Sequence, residues 1–341
     1  MATRIQLSIV AYGVALVTTL VVVAACNAQS VLNASDYSSA PLINSQGKAY
    51  RVVRGAAYEV QGSQLVFRTQ LYDPDFYAKN YRQEKGIIYR YVDADHKYPV
   101  LTSMNEGFEG ASRLPELIGP ARGWNSFTLQ GPATPTVDDY VRLRKVILEQ
   151  GGDFVDNRIE PSAATVHGGA RSLRAYAYPS SWRLDVSKAS LETVLLHFRK
   201  GDDFWFAGWF YIANGTPVGI LDLESSYLPE YPGLRILLSD TLQPRVELKW
   251  ADKPTYHVAP ASAVLARNRW HYIRLHAYLS DGADGRVEMW LNGTQILNVT
   301  GQTLPLPDSV YDRLEIGVTA NQSGTAELFV DDMRFDRTPL F

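Results

Sequence analysis

Cysteine is nearly absent from this chain. Its 341 residues include one, Cys26, so no internal disulfide can form. An excess of charge is absent too, with 33 Lys and Arg against 36 Asp and Glu and a net charge of −3. That excludes the basic footprint of a nucleic-acid-binding protein and attraction to an anionic membrane by charge alone. Charge of either sign is missing altogether from Ile5 to Ala25, just after Arg4. This run closes on Val23-Ala24-Ala25-Cys26. An uncharged apolar segment ending in small residues is an export signal and not part of a fold. Aromatics are plentiful, at 11% with 20 Tyr, which favours strands and supplies flat amphipathic surfaces.

The Val-Ala-Ala-Cys ending resembles the lipobox of bacterial lipoproteins. The resemblance implies a signal over residues 1–25 and lipidation of Cys26 as the mature N-terminus. A plain cleaved signal ending near Ala28 and an uncleaved anchor are the other readings of the run. All three place the remainder outside the cytoplasm, and the lipobox adds a lipid anchor in the periplasm or at the cell surface. Residues 26–48 are Ser/Asn/Ala-rich and read as a linker. Short alternating runs such as Tyr50–Val53, Gln64–Arg68 and Gly86–Tyr91 make residues 49–105 a strand-rich extension.

One helix is expected, with Thr136 and Asp139 as an approximate capping box and Gly151-Gly152 as its end. After it, period-2 runs alternate with Gly/Asp/Asn/Pro turns, the signature of an all-β sandwich. Leu195–Lys200 with Phe204–Ile212 reads as a hairpin, Gly233–Leu238 with Arg245–Trp250 as a pair, and Trp270–Leu279 with Arg286–Leu291 as a meander. Leu314–Val318 and Glu327–Phe335 close the domain.

The stretch Arg269-Trp270-His271-Tyr272-Ile273-Arg274, an Asp/Gly turn, then Gly285-Arg286-Val287-Glu288-Met289-Trp290-Leu291-Asn292-Gly293 resembles the centre of concanavalin A-like domains, including laminin-G-like modules and heparin-lyase-like polysaccharide lyases. Gly107-Phe108-Glu109, the turn at His167-Gly168-Gly169, and Phe329-Val330-Asp331-Asp332-Met333-Arg334-Phe335 are similar to edge elements of the same jelly rolls. The resemblance implies a concanavalin A-like jelly-roll sandwich over residues 106–341, with a helix-containing insertion at about 110–152. It also implies a structural Ca²⁺ at Glu109, Gly168 and Asp331 or Asp332, since hard cations take oxygen ligands. No organic cofactor is expected.

Strand alternation sorts side chains onto two faces. Trp205, Trp209 and Tyr211 point away from the apolar set of their strand. So do Tyr272, Arg274, His276 and Tyr278, then Glu288 and Trp290, His197 and Arg199, and Lys249 beside Arg245 and Glu247. Trp and Tyr suit the C–H faces of sugars, and Arg and Lys suit carboxylates or sulfates. The retaining-glucanase pattern Glu-x-Asp-x-x-Glu fails at Ile220 and Ser225, which disfavours a hydrolase. The expectation is a carbohydrate-binding lipoprotein for a glycan, with acidic glycans preferred. Trp205, Trp209, Tyr211, Arg199, Lys249 and Trp290 are its binding residues. The alternative is a lyase cleaving a uronate-containing glycan by β-elimination. His197 or His276 would then be its base, with Tyr272, Tyr278 and Arg274 in support.

Overall fold

Residues 31–40, 42–45, 47–70, 75–228, 231–249, 255–306 and 309–340 are described by the computed structural model of the chain. The signal run and Cys26 lie outside them. Two compact units divide at Phe76/Tyr77. The first is a five-stranded antiparallel sheet running from Val31–Asn33 to Leu42–Ser45 at its edges, with Val53, Ala56, Tyr58 and Leu65 as its core. Residues expected to be linker therefore supply two of its strands. The three short strands Tyr81–Glu84, Ile87–Tyr91 and Lys97–Pro99, expected in the extension, belong to the second unit.

The second unit is the expected all-β jelly-roll sandwich. One sheet orders Ser126–Gln130, Ser187–Thr193, Arg313–Asn321, Gly219–Glu224, Gly233–Leu238, Pro244–Lys249 and Thr255–Val258. The other orders Arg158–Ser162, Ser172–Ala177, Ala326–Asp336, Asp203–Asn214, Trp270–Tyr278, Arg286–Leu291 and Thr294–Thr300, with Met104–Glu106 paired onto Ala326–Asp336. Alternation decides what each buries. Phe204, Phe206, Phe210, Ile273, Leu275, Val287 and Met289 enter the core from one sheet, and Leu191, Leu221, Leu223, Ile236, Val246, Ile316 and Val318 from the other. At about 25 cal/mol per Å² of apolar surface, such burial is the main term holding the sheets together.

The helix forms at Val137–Gln150 with its capping box complete and Gly151 in the left-handed region at φ 67°. Tyr140, Leu143 and Ile147 form its buried stripe. No helix among the described residues is long and apolar enough to cross a membrane.

The expected hairpin at Leu195–Ile212 does not form. Phe198–Arg199 pairs with Val310–Tyr311, and Asp203–Asn214 pairs with Trp270–Tyr278 and Ala326–Asp336. The turn between them closes elsewhere. Gly201 N donates to Leu279 O at 2.8 Å, and Leu279 N donates to Asp202 O at 2.9 Å. Leu195–His197 is irregular, so period 2 does not govern it, and Leu195, Leu196 and His197 are all buried.

His197 is thus a correction to the expected outward base. Its Nε2 lies 2.9 Å from Tyr77 Oη, Tyr81 packs edge-on at 5.2 Å, and Arg337 donates to its carbonyl at 2.7 Å. Burial, with Arg337 and Arg199 nearby, lowers its pKa from 6.5 to about 4. The depressed value means that the fold keeps this ring neutral. Its contribution is fully present above pH 6.5 and is lost as pH falls toward about 4. It amounts to roughly 3 kcal/mol at most. His197→Gln, which cannot titrate, is expected to flatten this acid limb. Urea unfolding at neutral and mildly acidic pH measures it, and an unchanged slope in the variant would remove the assignment.

Candidate functional site

The outer face of the eight-stranded sheet gathers most of the expected residues. Trp205, Trp209 and Tyr211 come from its central strand, Tyr272, Arg274, His276 and Tyr278 from the next, and Glu288 and Trp290 from the one beyond. His276 lies under Trp205, with ring centroids 4.0 Å apart and planes 13° apart. Its Nδ1 is 2.8 Å from Glu288 Oε2 and its Nε2 is 2.7 Å from Asp203 Oδ1. Both nitrogens are committed to carboxylates and the ring is 2% exposed. A base needs a free nitrogen within reach of substrate. The geometry therefore makes His276 the support of Trp205 and corrects its expected role as the base. Trp209 stacks on His167 at 3.8 Å and lies 5.0 Å from Tyr272. Tyr211 packs on Trp270 at 5.4 Å, and Tyr278 stays half-buried. Arg199 and Lys249 are not on this face. Arg199 is exposed at the short Phe198–Arg199 strand, and Lys249 belongs to the seven-stranded sheet.

The outer face of the seven-stranded sheet is where charge concentrates. One row crosses six strands as Glu192, Glu315, Asp222, Arg235, Glu247 and Tyr256. The next row runs Arg313, Glu224, Gly233 and Lys249. Gly233 is required there, because a Cβ would come within 2.1 Å of Leu223 O and 2.8 Å of Glu224 Cα. The acids form the floor. Asp222, Glu224 and Glu315 are 2%, 1% and 0% exposed. Arg235 meets Glu224 at 3.0 Å, Glu247 at 3.4 Å and Asp222 at 3.6 Å. Arg313 meets Glu224 and Glu315 at 2.9 Å and Glu192 at 3.2 Å. Lys188, Arg235, Arg245 and Lys249 keep part of their side chains at the surface. Arg245 lies over the Tyr256 ring at 5.0 Å, and its Nε has no hydrogen-bond partner among the described residues.

Protonation on this face is strongly perturbed. Burial, against the pull of Arg235 and with the push of Glu224 and Glu315, raises Asp222 to about 6. Burial would raise Glu315 too, but Arg313 and Lys188 outweigh it and hold the carboxyl low. Burial works against the charge on Arg235, yet Asp222, Glu224 and Glu247 raise its pKa. Burial beside Arg235 lowers Lys249 to about 8. The Tyr256 hydroxyl is raised by burial and by Glu247. Perturbed groups clustered in this way mark functional sites. The alternation did show Arg245, Glu247 and Lys249 outward, but Asp222, Glu224, Arg235, Arg313 and Glu315 were missed. The hint was the failed glucanase segment itself, since Asp222 and Glu224 two apart must share a face.

Two places bring acids together as a metal would need. Glu109, Asp331 and Asp332 converge on the Gly168–Gly169 turn, and Asp332 reaches it from a left-handed bulge at φ 46°. Most of their oxygens already accept hydrogen bonds. Glu109 accepts from Ala170 N at 2.9 Å, Asp331 from His167 N at 2.8 Å and Gly168 N at 3.1 Å, and Asp332 meets His167 Nδ1 at 2.8 Å. These N–H bonds hold the turn by themselves, and a hard cation there would share the same oxygens with them. The oxygens of Asp222, Glu224 and Glu315 lie within 4.8 Å of one another, but Arg235 and Arg313 supply their countercharge.

No protein-family model and no curated protein matches this sequence. Solved structures share its fold at low identity. An endo-β-1,4-glucuronan lyase from the fungus Trichoderma reesei is 11% identical over 63% of this chain and 92% of that one, with a TM-score of 0.48. The alginate lyase Aly36B is 9% identical over 71% and 99%, with a TM-score of 0.39. The alginate lyase vAL-1 from Chlorella virus is 12% identical over 63% and 100%, with a TM-score of 0.38. These are distant likenesses of architecture.

Proposed function

We propose that this chain is an exported polysaccharide lyase that cleaves a uronate-containing glycan by β-elimination on the outer face of its seven-stranded sheet. One observation carries the reading. Lys249, half-buried and lowered to about 8, lies beside Arg235, which three carboxylates hold in place. A base near neutral pKa next to a fixed cation is what proton abstraction α to a carboxylate requires. Lys249 takes the C5 proton of the uronate, while Arg235, with Arg245 nearby, stabilises the carboxylate as charge builds on it. The C4–O bond then breaks, a C4–C5 double bond forms, and the departing oxygen takes a proton from Tyr256.

Ultraviolet absorbance of the unsaturated uronate is expected to rise when the protein is incubated with a panel of polyuronates. Folded protein that yields no such product from any of them would end the reading. Binding without product would instead support the lectin expectation. Lipidation at Cys26 is part of the proposal and rests on the sequence alone. Cys26→Ser is expected to move the protein from the membrane to the soluble fraction of a bacterial host, and unchanged fractionation would count against it.

A further inference from the structure

The opposite face of the sandwich has a feature that this reading leaves unused. One row crosses the eight-stranded sheet as Asn105, Arg334, Ala207, Arg274 and Trp290. Trp205 and Trp209 stand two residues either side of Ala207 on the central strand, on the same face. Two arginines thus flank one small residue across the strands, and two indoles flank it along the chain. Neither guanidinium meets a carboxylate among the described residues. Arg274 lies over the Trp290 ring at 5.0 Å, and its buried Nε has no hydrogen-bond partner among the described residues. Arg334 reaches Tyr272 Oη at 3.4 Å, its one hydrogen bond among the described residues. The nearby acids are spent on histidines, Asp332 on His167 and Asp203 and Glu288 on His276. Elsewhere in this unit Arg174, Arg235 and Arg313 each pair with two or more carboxylates. Two like charges on one face, two strands apart and without carboxylate partners, favour an anion beside them.

We propose that this row is a second glycan site, separate from the lyase face, that takes a sugar bearing a sulfate or carboxylate. A cavity of about 220 Å³ opens against Arg334, lined by Asn105, Trp209, Tyr272 and Asp332. Trp209 and Tyr272 supply the wall for the sugar's C–H face, and Asn105 a polar contact. Arg334 supplies a planar donor that matches an oxyanion two-pronged, and Arg274, across Ala207 in the same row, a second one for the next residue of the polymer. Both indoles are held by stacking, Trp209 against the exposed His167 and Trp205 against the buried His276. A site assembled before its ligand arrives loses less ordering entropy on binding. The occupant is a polymer held by one face of the sandwich while the other face acts on it.

The test uses the full chain carrying Lys249→Ala, so that no polymer is consumed during the measurement. Binding to heparin, polygalacturonate and dextran is measured by calorimetry. Heparin or polygalacturonate should bind, dextran should not, and affinity should fall as salt rises. Arg334→Ala and Arg274→Ala should each weaken binding about tenfold or more. Arg334→Lys should recover little, since an ammonium lacks the planar fork, and it guards against a merely misfolded alanine variant. A preference for heparin assigns the oxyanion as sulfate, and one for polygalacturonate as carboxylate. Dextran binding as tightly as either, or folded Arg334 variants binding like the parent, would overturn the site. Product formation by the parent chain is read separately, so the failure of one proposal does not imply the failure of the other.

Discussion

Lys249→Ala is expected to lower polyuronate turnover by about 10²–10⁴-fold, the range for loss of a general base. The fold should not suffer. Burial beside Arg235 already disfavours charge on this lysine, lowering it from 10.5 to about 8. A group whose folded pKa is depressed in this way opposes folding while protonated, so its removal relieves that cost at neutral pH. Thermal melting of the variant should match or exceed that of the parent. In the parent, the rate should rise as pH climbs through about 8, because only the neutral amine can accept the C5 proton. Lys249→Arg separates a base from a binding cation, since a guanidinium keeps the charge and cannot give up its proton. An active Lys249→Arg variant would remove lysine from the role of base and leave it as a contact to the glycan.

The fold was legible because burial follows alternation wherever a strand is regular. Phe204, Phe206, Phe210 and Ile212, read as the inward set of one run, are all buried. Thr136, Asp139 and Gly151 delimit the helix by local hydrogen bonding, which needs no tertiary information. The misreadings share a cause. At Leu195–His197 the chain leaves regular strand geometry, so alternation assigned His197 to solvent when Tyr77 and Tyr81 enclose it. The charged face was hidden for a different reason. Outward residues such as Glu192, Asp222, Arg235 and Glu315 look in sequence like any solvated strand face. Only the register across strands from Ser187–Thr193 to Thr255–Val258 shows that they form one row and bury one another. His276 was correctly placed on its face, but nothing in its own strand announces Asp203, 73 residues away, as the partner of Nε2.

That row is also where the fold is most vulnerable. Glu192, Glu315 and Asp222 stand directly opposite one another on adjacent strands, an arrangement that repels without a cation between them. Arg313 is that cation for two of them, and it reaches Glu224 as well. Its side chain is 7% exposed, and those of Glu224 and Glu315 are 1% and 0%. Arg313→Ala leaves buried charges uncompensated and is expected to cost about 3–5 kcal/mol at neutral pH. Arg313→Lys, a point charge unable to span three carboxylates, should restore part of that loss. The pH dependence distinguishes lost charge from lost packing. Without Arg313, burial pushes Glu315 up against the remaining pull of Lys188, so its carboxyl is held less far below its unfolded value of 4.5. A depressed carboxyl gives stability that is lost as pH falls below the unfolded pKa, and the parent, with the deeper depression, loses more of it. The gap between parent and Arg313→Ala in urea unfolding should therefore narrow as pH falls below about 4.5. A gap of constant size would assign the loss to packing over the Tyr231 ring, 5.3 Å from the guanidinium, and not to the carboxylates.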